Sequence, residues 1–215
     1  MELTFIFLII PFFIYWCVNE KIGLQLSIVF VVSIWVVFLY WQFNSYLDKV
    51  IPFNFNLMWV LIAVIFFCYI TLRVKLETIL GKTSFRTKMI IIAAASFLMI
   101  LYRPSLEYIM CAGFLLGFGV GYLLNKRFAG FTSRAVLQRK GIVKILTLFA
   151  RFVLGIAVIT LIILRIDSFI LIIKESQNIE LYCFLCSALM ALWVTVAGPW
   201  LFIKLRLAES DNESS

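Results

Sequence analysis

Long, continuous stretches of apolar residues, separated by short polar segments, run through almost the whole chain. A helix needs about 20 apolar residues to cross the hydrocarbon core of a bilayer, with a range of roughly 17 to 25. The stretches lack the alternation of polar and apolar positions that a membrane barrel shows. The pattern therefore predicts an all-α, polytopic bundle of about seven transmembrane helices. The predicted spans are Leu3–Val18, Ile22–Leu47, Ile51–Leu72, Met89–Tyr102, Pro104–Leu124, Ile145–Leu164 (extending toward Ile173) and Leu181–Ile203.

The linkers between these stretches are short, and no internal repeat is present. Residues 1–207 are therefore interpreted as one transmembrane helical domain, and residues 208–215 as a polar, disordered tail. The first apolar stretch follows no positively charged segment and precedes no small-residue cleavage site. We expect it to be a retained helix and not a signal peptide.

Composition and charge agree with a lipid environment. Hydrophobic residues make up 64% of the chain and charged residues 14%, whereas about a quarter of an ordinary soluble domain is charged. The net charge is +8, and its Lys and Arg residues concentrate in residues 73–88 and 126–144. Because cytoplasmic loops collect positive charge, we expect the N-terminus outside and the C-terminus inside. Nucleic-acid binding is not expected. Aromatic residues near the predicted helix ends, Tyr15 and Trp16 among them, would suit the membrane interface.

The chain contains no histidine, which excludes histidine nucleophiles, imidazole bases and HExxH zinc sites. Cys183 and Cys186 form a CxxC pair, but no second pair completes a tetrahedral zinc site. A thiol pair near the outer face of a helix is the alternative. We predict no metal and no cofactor.

Gly113, Gly117 and Gly121 recur every four residues and so share one helical face. Small residues at this spacing let two membrane helices approach closely, so we predict helix packing here. A glycine-lined path for a ligand is the alternative. Arg151 falls inside the sixth predicted span, where we expect it to extend toward the interface or pair with a lipid phosphate.

Two polar turns on the predicted outer side hold the candidate binding residues. Lys49, Arg103 and Ser105 are potential donors, and Glu107 is an acid beside them. Cationic and hydroxyl donors that converge in this way can hold a phosphate. The sequence thus predicts a lipid-phosphate site, with two ordinary solvated turns as the alternative.

Three strings resemble bacterial type 2 phosphatidic acid phosphatases, the PAP2 superfamily. They are residues 9–27 (IIPFFIYWCVNEKIGLQLS), 113–128 (GFLLGFGVGYLLNKRF) and 192–202 (LWVTVAGPWLF). The resemblance implies a helical membrane protein of lipid phosphate chemistry in a bacterial inner membrane. The family's KxxxxxxRP, PSGH and SRxxxxxHxxxD motifs are not intact here. Only Arg103 carries over, as a former phosphate contact.

The resemblance and the absent histidines together suggest a shortened relative without phosphatase activity, so we do not expect an enzyme. We expect it to bind lipid headgroups, a membrane partner protein or a second copy of itself. Two alternatives stay open: a small transporter or flippase subunit, and an active lipid-modifying enzyme of unfamiliar type. The first would need buried charge or broken helices at the membrane midplane.

Overall fold

Seven α-helices and two short π-helical segments account for most of the chain that the structure describes. The computed structural model describes residues 2–46, 60, 63–64, 67, 69, 71, 82–101, 105–133, 141–173 and 179–210. The α-helices are α1 (Glu2–Cys17), α2 (Glu20–Tyr46), α3 (Phe85–Leu101), α4 (Leu106–Leu124), α5 (Ile142–Ile173), α6 (Ile179–Leu192) and α7 (Gly198–Lys204). The π-helical segments are π1 (Asn125–Ala129), which continues α4, and π2 (Trp193–Ala197), which joins α6 to α7.

The all-helical prediction is confirmed, but the number of predicted spans is wrong. Four stretches of the described residues are long and apolar enough to cross a membrane, and they are Glu20–Tyr40, Leu106–Phe128, Ile142–Leu164 and Ile179–Lys204. The first predicted span corresponds to α1, whose 16 residues extend only about 24 Å along the helix axis. The fourth corresponds to α3, with 17 residues. Most of the third predicted span, Ile51–Leu72, lies outside the described residues.

Helix α4 lies at the centre of the bundle, and its glycines let neighbouring helices approach it closely. It packs along α6 most extensively, and also along α3 and α2. Helix α1 packs against α2 and α5. The buried core is rich in aromatic side chains, with Phe12, Trp16, Phe118 and Phe202 at its centre.

The outward faces of α3 and α5 are apolar. On α5, Ile142, Ile145 and Phe149 are each more than 60% exposed. A water-soluble monomer rarely exposes contiguous apolar surface of this extent, whereas a lipid-facing helix requires it. Helix α5 continues to Ile173, as the sequence predicted, and its 32 residues span about 48 Å.

Six helix ends meet at one end of the bundle, which we call the basic end. They are the C-terminal ends of α1, α4 with π1, and α7, and the N-terminal ends of α2, α3 and α5. A two-residue antiparallel strand pair lies here, between β1 (Phe131–Thr132) and β2 (Glu209–Ser210). The predicted disordered tail starts at residue 208, but Ala208 is buried and residues 209 and 210 form β2. Residues 211–215 lie outside the described residues.

Candidate functional site

The predicted phosphate site falls at the opposite end of the bundle, and only half of it lies in the described chain. Ser105 is the N-cap residue of α4, and its side chain makes no capping hydrogen bond. Glu107 is exposed in the first turn of the same helix. Lys49 and Arg103 lie outside the described residues. The structure therefore brings Ser105 and Glu107 to one helix end and does not test their approach to the two cations.

The glycine face of α4 lies directly against α6 and π2. A Cβ atom at Gly113 would clash with the Ser187 hydroxyl, and one at Gly121 would clash with the Thr195 hydroxyl. At Gly117, a Cβ would lie 2.5 Å from the carbonyl oxygen of Ala188. These positions leave no room for a side chain, so the glycines allow the two backbones to approach closely.

The densest polar contacts in the described chain form a cluster at the basic end, which we call the polar junction. Its side chains come from two α-helices and π1, namely Tyr15 and Trp16 of α1, Arg151 of α5 and Asn125 of π1, and π2 contributes backbone carbonyls. The Trp16 indole donates a hydrogen bond to the carbonyl of Val194 at 2.8 Å. The Tyr15 hydroxyl donates to the carbonyl of Thr195 at 3.2 Å. Both rings are almost completely buried.

These two carbonyls are available because the helix around Gly198 and Pro199 is irregular. The Gly198 N–H bonds to the carbonyl of Trp193, five residues back, and so leaves the Val194 carbonyl without its α-helical donor. Pro199 has no N–H, so it cannot donate to the carbonyl of Thr195, four residues back. The two free acceptors are adjacent in sequence, as are the two aromatic donors that fill them. Gly198 and Pro199 thus leave two carbonyls of one helix available to accept hydrogen bonds from Tyr15 and Trp16 of another.

Asn125 joins α4 and π1 to this arrangement. Its Nδ2 donates to the Tyr15 hydroxyl at 3.0 Å, so the hydroxyl both donates and accepts a hydrogen bond. Asn125 is 2% exposed, and within the described residues its Oδ1 has no hydrogen-bond partner. Only the amide nitrogen of this side chain therefore contributes to holding α1 in place.

Arg151 closes the junction on the side of α5. Its Nη1 donates to the carbonyl of Trp16 at 2.9 Å, and its Nε and Nη2 donate to the carbonyl of Leu207 at 3.0 and 2.6 Å. Its guanidinium also lies over the Phe131 ring, 5.4 Å from the centroid. The Trp16 carbonyl lies in the last turn of α1 and the Leu207 carbonyl lies just after α7, and carbonyls at the C-terminal end of a helix lack intrahelical donors. One planar cation thus fixes two chain segments to α5.

The prediction that Arg151 reaches toward the interface is wrong, because its side chain is 0% exposed. The prediction that Tyr15 and Trp16 line the interface is wrong for the same reason. Their neighbourhood in sequence is apolar, so hydrophobicity alone could not distinguish an interfacial donor from a buried one. The sequence signal that points to the junction is Gly198-Pro199, since a proline within a late helix frees acceptors for donors elsewhere.

Glu20 and Ser133 fasten the start of α2 to the segment after β1. The Ser133 hydroxyl donates to Glu20 Oε2 at 2.6 Å, and the Ser133 N–H donates to the same oxygen at 3.0 Å. The Glu20 N–H donates back to the Ser133 hydroxyl oxygen at 3.2 Å. Asn19 caps the same helix through its Oδ1, which accepts from the N–H groups of Lys21 and Ile22. Two of the three hydrogen bonds between Glu20 and Ser133 involve a backbone N–H, so this pair holds backbone in place.

The CxxC pair lies within the single helix α6. Cys183 is buried, Cys186 is partly buried, and both are free thiols. The two residues lie three apart, on the same side of a continuous helix. Their arrangement joins no other element of the described chain.

Four apolar helices, lipid-facing surfaces and a polar junction made of helix-to-helix bonds define the class of this protein: a multi-pass α-helical membrane protein. Residues 109–210 match the family model of the PAP2 superfamily phosphatase, transmembrane extension. The predicted relationship to the PAP2 superfamily is therefore confirmed over this segment, which is just under half of the chain. No curated protein and no solved structure matches the chain.

The matched segment includes most of the structural features described above. It contains the glycine face of α4, both π-helical segments, Arg151 and the Gly198-Pro199 pair. Tyr15 and Trp16 come from outside it, in the first of the three strings that resemble the superfamily. The three strings meet at the polar junction, since the first supplies the donors, the second Asn125, and the third the two acceptors.

Proposed function

We propose that this chain is a non-catalytic, multi-pass membrane protein that binds lipid phosphate headgroups and derives from the PAP2 superfamily. The observation that supports it most is the kind of segment that matches, because the family model describes a transmembrane extension of these phosphatases. A segment of this kind has no need of the histidine motifs. The chain has no histidine inside or outside that segment, so none of its residues can serve as the histidine nucleophile of these phosphatases.

The contacts of the matched segment support the same conclusion. Arg151 bonds to backbone carbonyls and stacks on a ring, and the Ser187 and Thr195 hydroxyls bond back to carbonyls of their own helices. A phosphatase of this superfamily needs a nucleophile next to cations that face the phosphate. In the described part of the matched segment, Asn125 and Arg151 instead bond to other elements of the fold, and Ser187 and Thr195 bond within their own helices.

A phosphate-release assay tests the non-catalytic proposal. The purified chain, reconstituted in liposomes, should release phosphate from phosphatidic acid no faster than empty liposomes do. An intact PAP2 phosphatase in matched liposomes is the positive control. Metal-independent release by this chain, lost on Arg103→Ala, would falsify the proposal.

We further propose that headgroups bind at the outer turns through Lys49, Arg103, Ser105 and Glu107, and that the basic end faces the cytoplasm. The charge distribution supports this orientation, because Lys21, Lys126, Lys204 and further cations gather at the basic end.

Retention of phosphatidic acid, measured by native mass spectrometry, should fall for Arg103→Ala and not for Lys174→Ala. A reporter fused to the C-terminus should be inaccessible from outside intact cells; external labelling would reverse the orientation.

A further inference from the structure

Arg127 makes cation–π contacts with two aromatic rings at the basic end. Its guanidinium carbon is 5.0 Å from the centroid of Phe85 and 5.6 Å from that of Phe128. Phe85 is the first residue of α3, whereas Arg127 and Phe128 belong to π1. The cation therefore connects the start of α3 to the segment that continues the end of α4. It is itself exposed, and Phe128 is 71% exposed.

Local hydrogen bonds fix both sides of this arrangement. Ser84 precedes α3 and caps it, because its hydroxyl accepts from the Thr87 N–H at 3.2 Å. On the other side, the N–H of Gly130 bonds to the carbonyl of Asn125 at 2.8 Å and closes π1. The guanidinium is thus presented by ordered backbone. Contacts with aromatic rings do not use up the hydrogen-bonding capacity of a guanidinium, whose N–H donors suit a bidentate oxyanion.

The sequence around Phe85 and Arg127 carries positive charge, and the acidic residues described at the basic end, Glu20 and Glu209, belong to α2 and β2. Lys82, Arg86 and Lys88 flank Phe85, and Lys126 precedes Arg127. No Asp or Glu occurs in residues 78–106 or 108–166, which include both sides of this cluster. We call these cations, together with Phe85 and Phe128, the Arg127 corner. At the same end, Lys204 lies 5.0 Å from the Trp200 ring, and Trp200 is 55% exposed.

Exposed aromatic rings that carry stacked cations are typical of the depth at which headgroups meet acyl chains. We infer that the Arg127 corner is a binding surface for anionic membrane lipid, with Arg127 on the phosphate and Phe128 among the acyl chains. The corner lies at the opposite end of the bundle from Ser105 and Glu107. It requires neither the outer site nor the absence of catalysis, so it stands or falls separately from the proposed function.

Lipid retention by single-charge variants tests this inference. The full chain is reconstituted in a mixture of phosphatidylglycerol and phosphatidylcholine, and the lipids that stay bound are counted by native mass spectrometry. A Lys or Arg in contact with an anionic headgroup contributes enough for about a fivefold change in affinity, whereas a cation away from the bound lipid contributes less. Arg127→Gln should therefore weaken phosphatidylglycerol retention about fivefold or more. Arg127→Lys should weaken it less, because it keeps the charge and loses the fork of donors.

Two controls separate the corner from general charge and from misfolding. Lys144→Gln removes one cation of the basic end from α5, and it should leave retention within about twofold of the wild type. Phe85→Leu keeps an apolar side chain and removes the stacking partner, so it should weaken retention with little change in melting temperature. Equal losses for Arg127→Gln and Lys144→Gln would overturn the inference, as would equal retention of the two lipids. Full displacement by millimolar inorganic phosphate would also overturn it, because Phe128 and the acyl chains would then contribute nothing.

Discussion

Replacing Trp16 with Phe should measure how much the polar junction stabilises the fold. The indole is 0% exposed, and its N–H donates a hydrogen bond to the carbonyl of Val194 at 2.8 Å. Without that donor the carbonyl is left buried and unpaired, which costs about 1–3 kcal/mol. The smaller ring leaves a void beside Gly155 and Phe202, which adds roughly 1 kcal/mol. The expected loss is about 2–4 kcal/mol, or roughly 4–16 °C in melting temperature for a chain of this size.

Trp200→Phe is the matched control, because the same change is made at a residue that is 55% exposed. Its ring contacts the Lys204 ammonium, and Phe can keep most of that contact, so the loss should stay below about 0.5 kcal/mol. Unfolding in detergent can be followed with a thiol-reactive dye, since Cys17, Cys111 and Cys183 are buried in the folded chain. Equal shifts for the two variants at one scan rate would refute the assignment of Trp16 as a structural donor.

Three further substitutions probe the remaining contacts. Arg151→Lys keeps the charge but loses the planar fork of donors that reaches two carbonyls, so it should lower the free energy of unfolding by about 2–4 kcal/mol. An unchanged melting temperature in the same dye assay would contradict the role of Arg151 in holding α1 and the segment after α7 to α5. Gly117→Ala should destabilise by about 1–3 kcal/mol, because its Cβ meets a backbone oxygen at 2.5 Å. Gly119→Ala meets only the Ile92 side chain at 2.7 Å and gains helix propensity, so it should stay within about 1 kcal/mol of the wild type. Ser133→Ala should speed amide hydrogen exchange at Glu20, because the N–H of Glu20 loses its acceptor, while exchange in the middle of α4 stays unchanged.

The helical class could be predicted from the sequence, but the number of membrane crossings could not. Apolar length separates membrane helices from soluble ones because lipid accepts no unpaired backbone. It does not separate a lipid-spanning helix from an apolar helix buried by its neighbours. Helix α1 shows the ambiguity, since its 16 residues are as apolar as those of the spans but too few for a full crossing, and Trp16 is buried in protein while Ile10 is 59% exposed.

The candidate site shows a second limit of sequence reasoning. Charged residues in the outer turns attracted attention because charge near a membrane is expensive. The polar contacts that the structure does describe use mostly carbonyls, which every residue has and no composition reveals. Arg151 could be noticed from its type and place, but its partners are backbone atoms of Trp16 and Leu207, far away in sequence. Only the fold brings those atoms within its reach.

The π-helical segments also make the number of residues in α4 and α6 as important as their identity. A π turn contains one residue more than an α-helical ring needs, and each residue advances a helix by about 100°. The extra residue in Trp193–Ala197 therefore sets the angular phase at which α7 continues, with Phe202 inward and Trp200 outward. Deleting one residue there would rotate every later side chain by about a quarter turn, even though no amino acid type was exchanged. Since π1 and π2 contact each other across the bundle, insertions and deletions in either segment should be tolerated far less than substitutions on the lipid-facing surface.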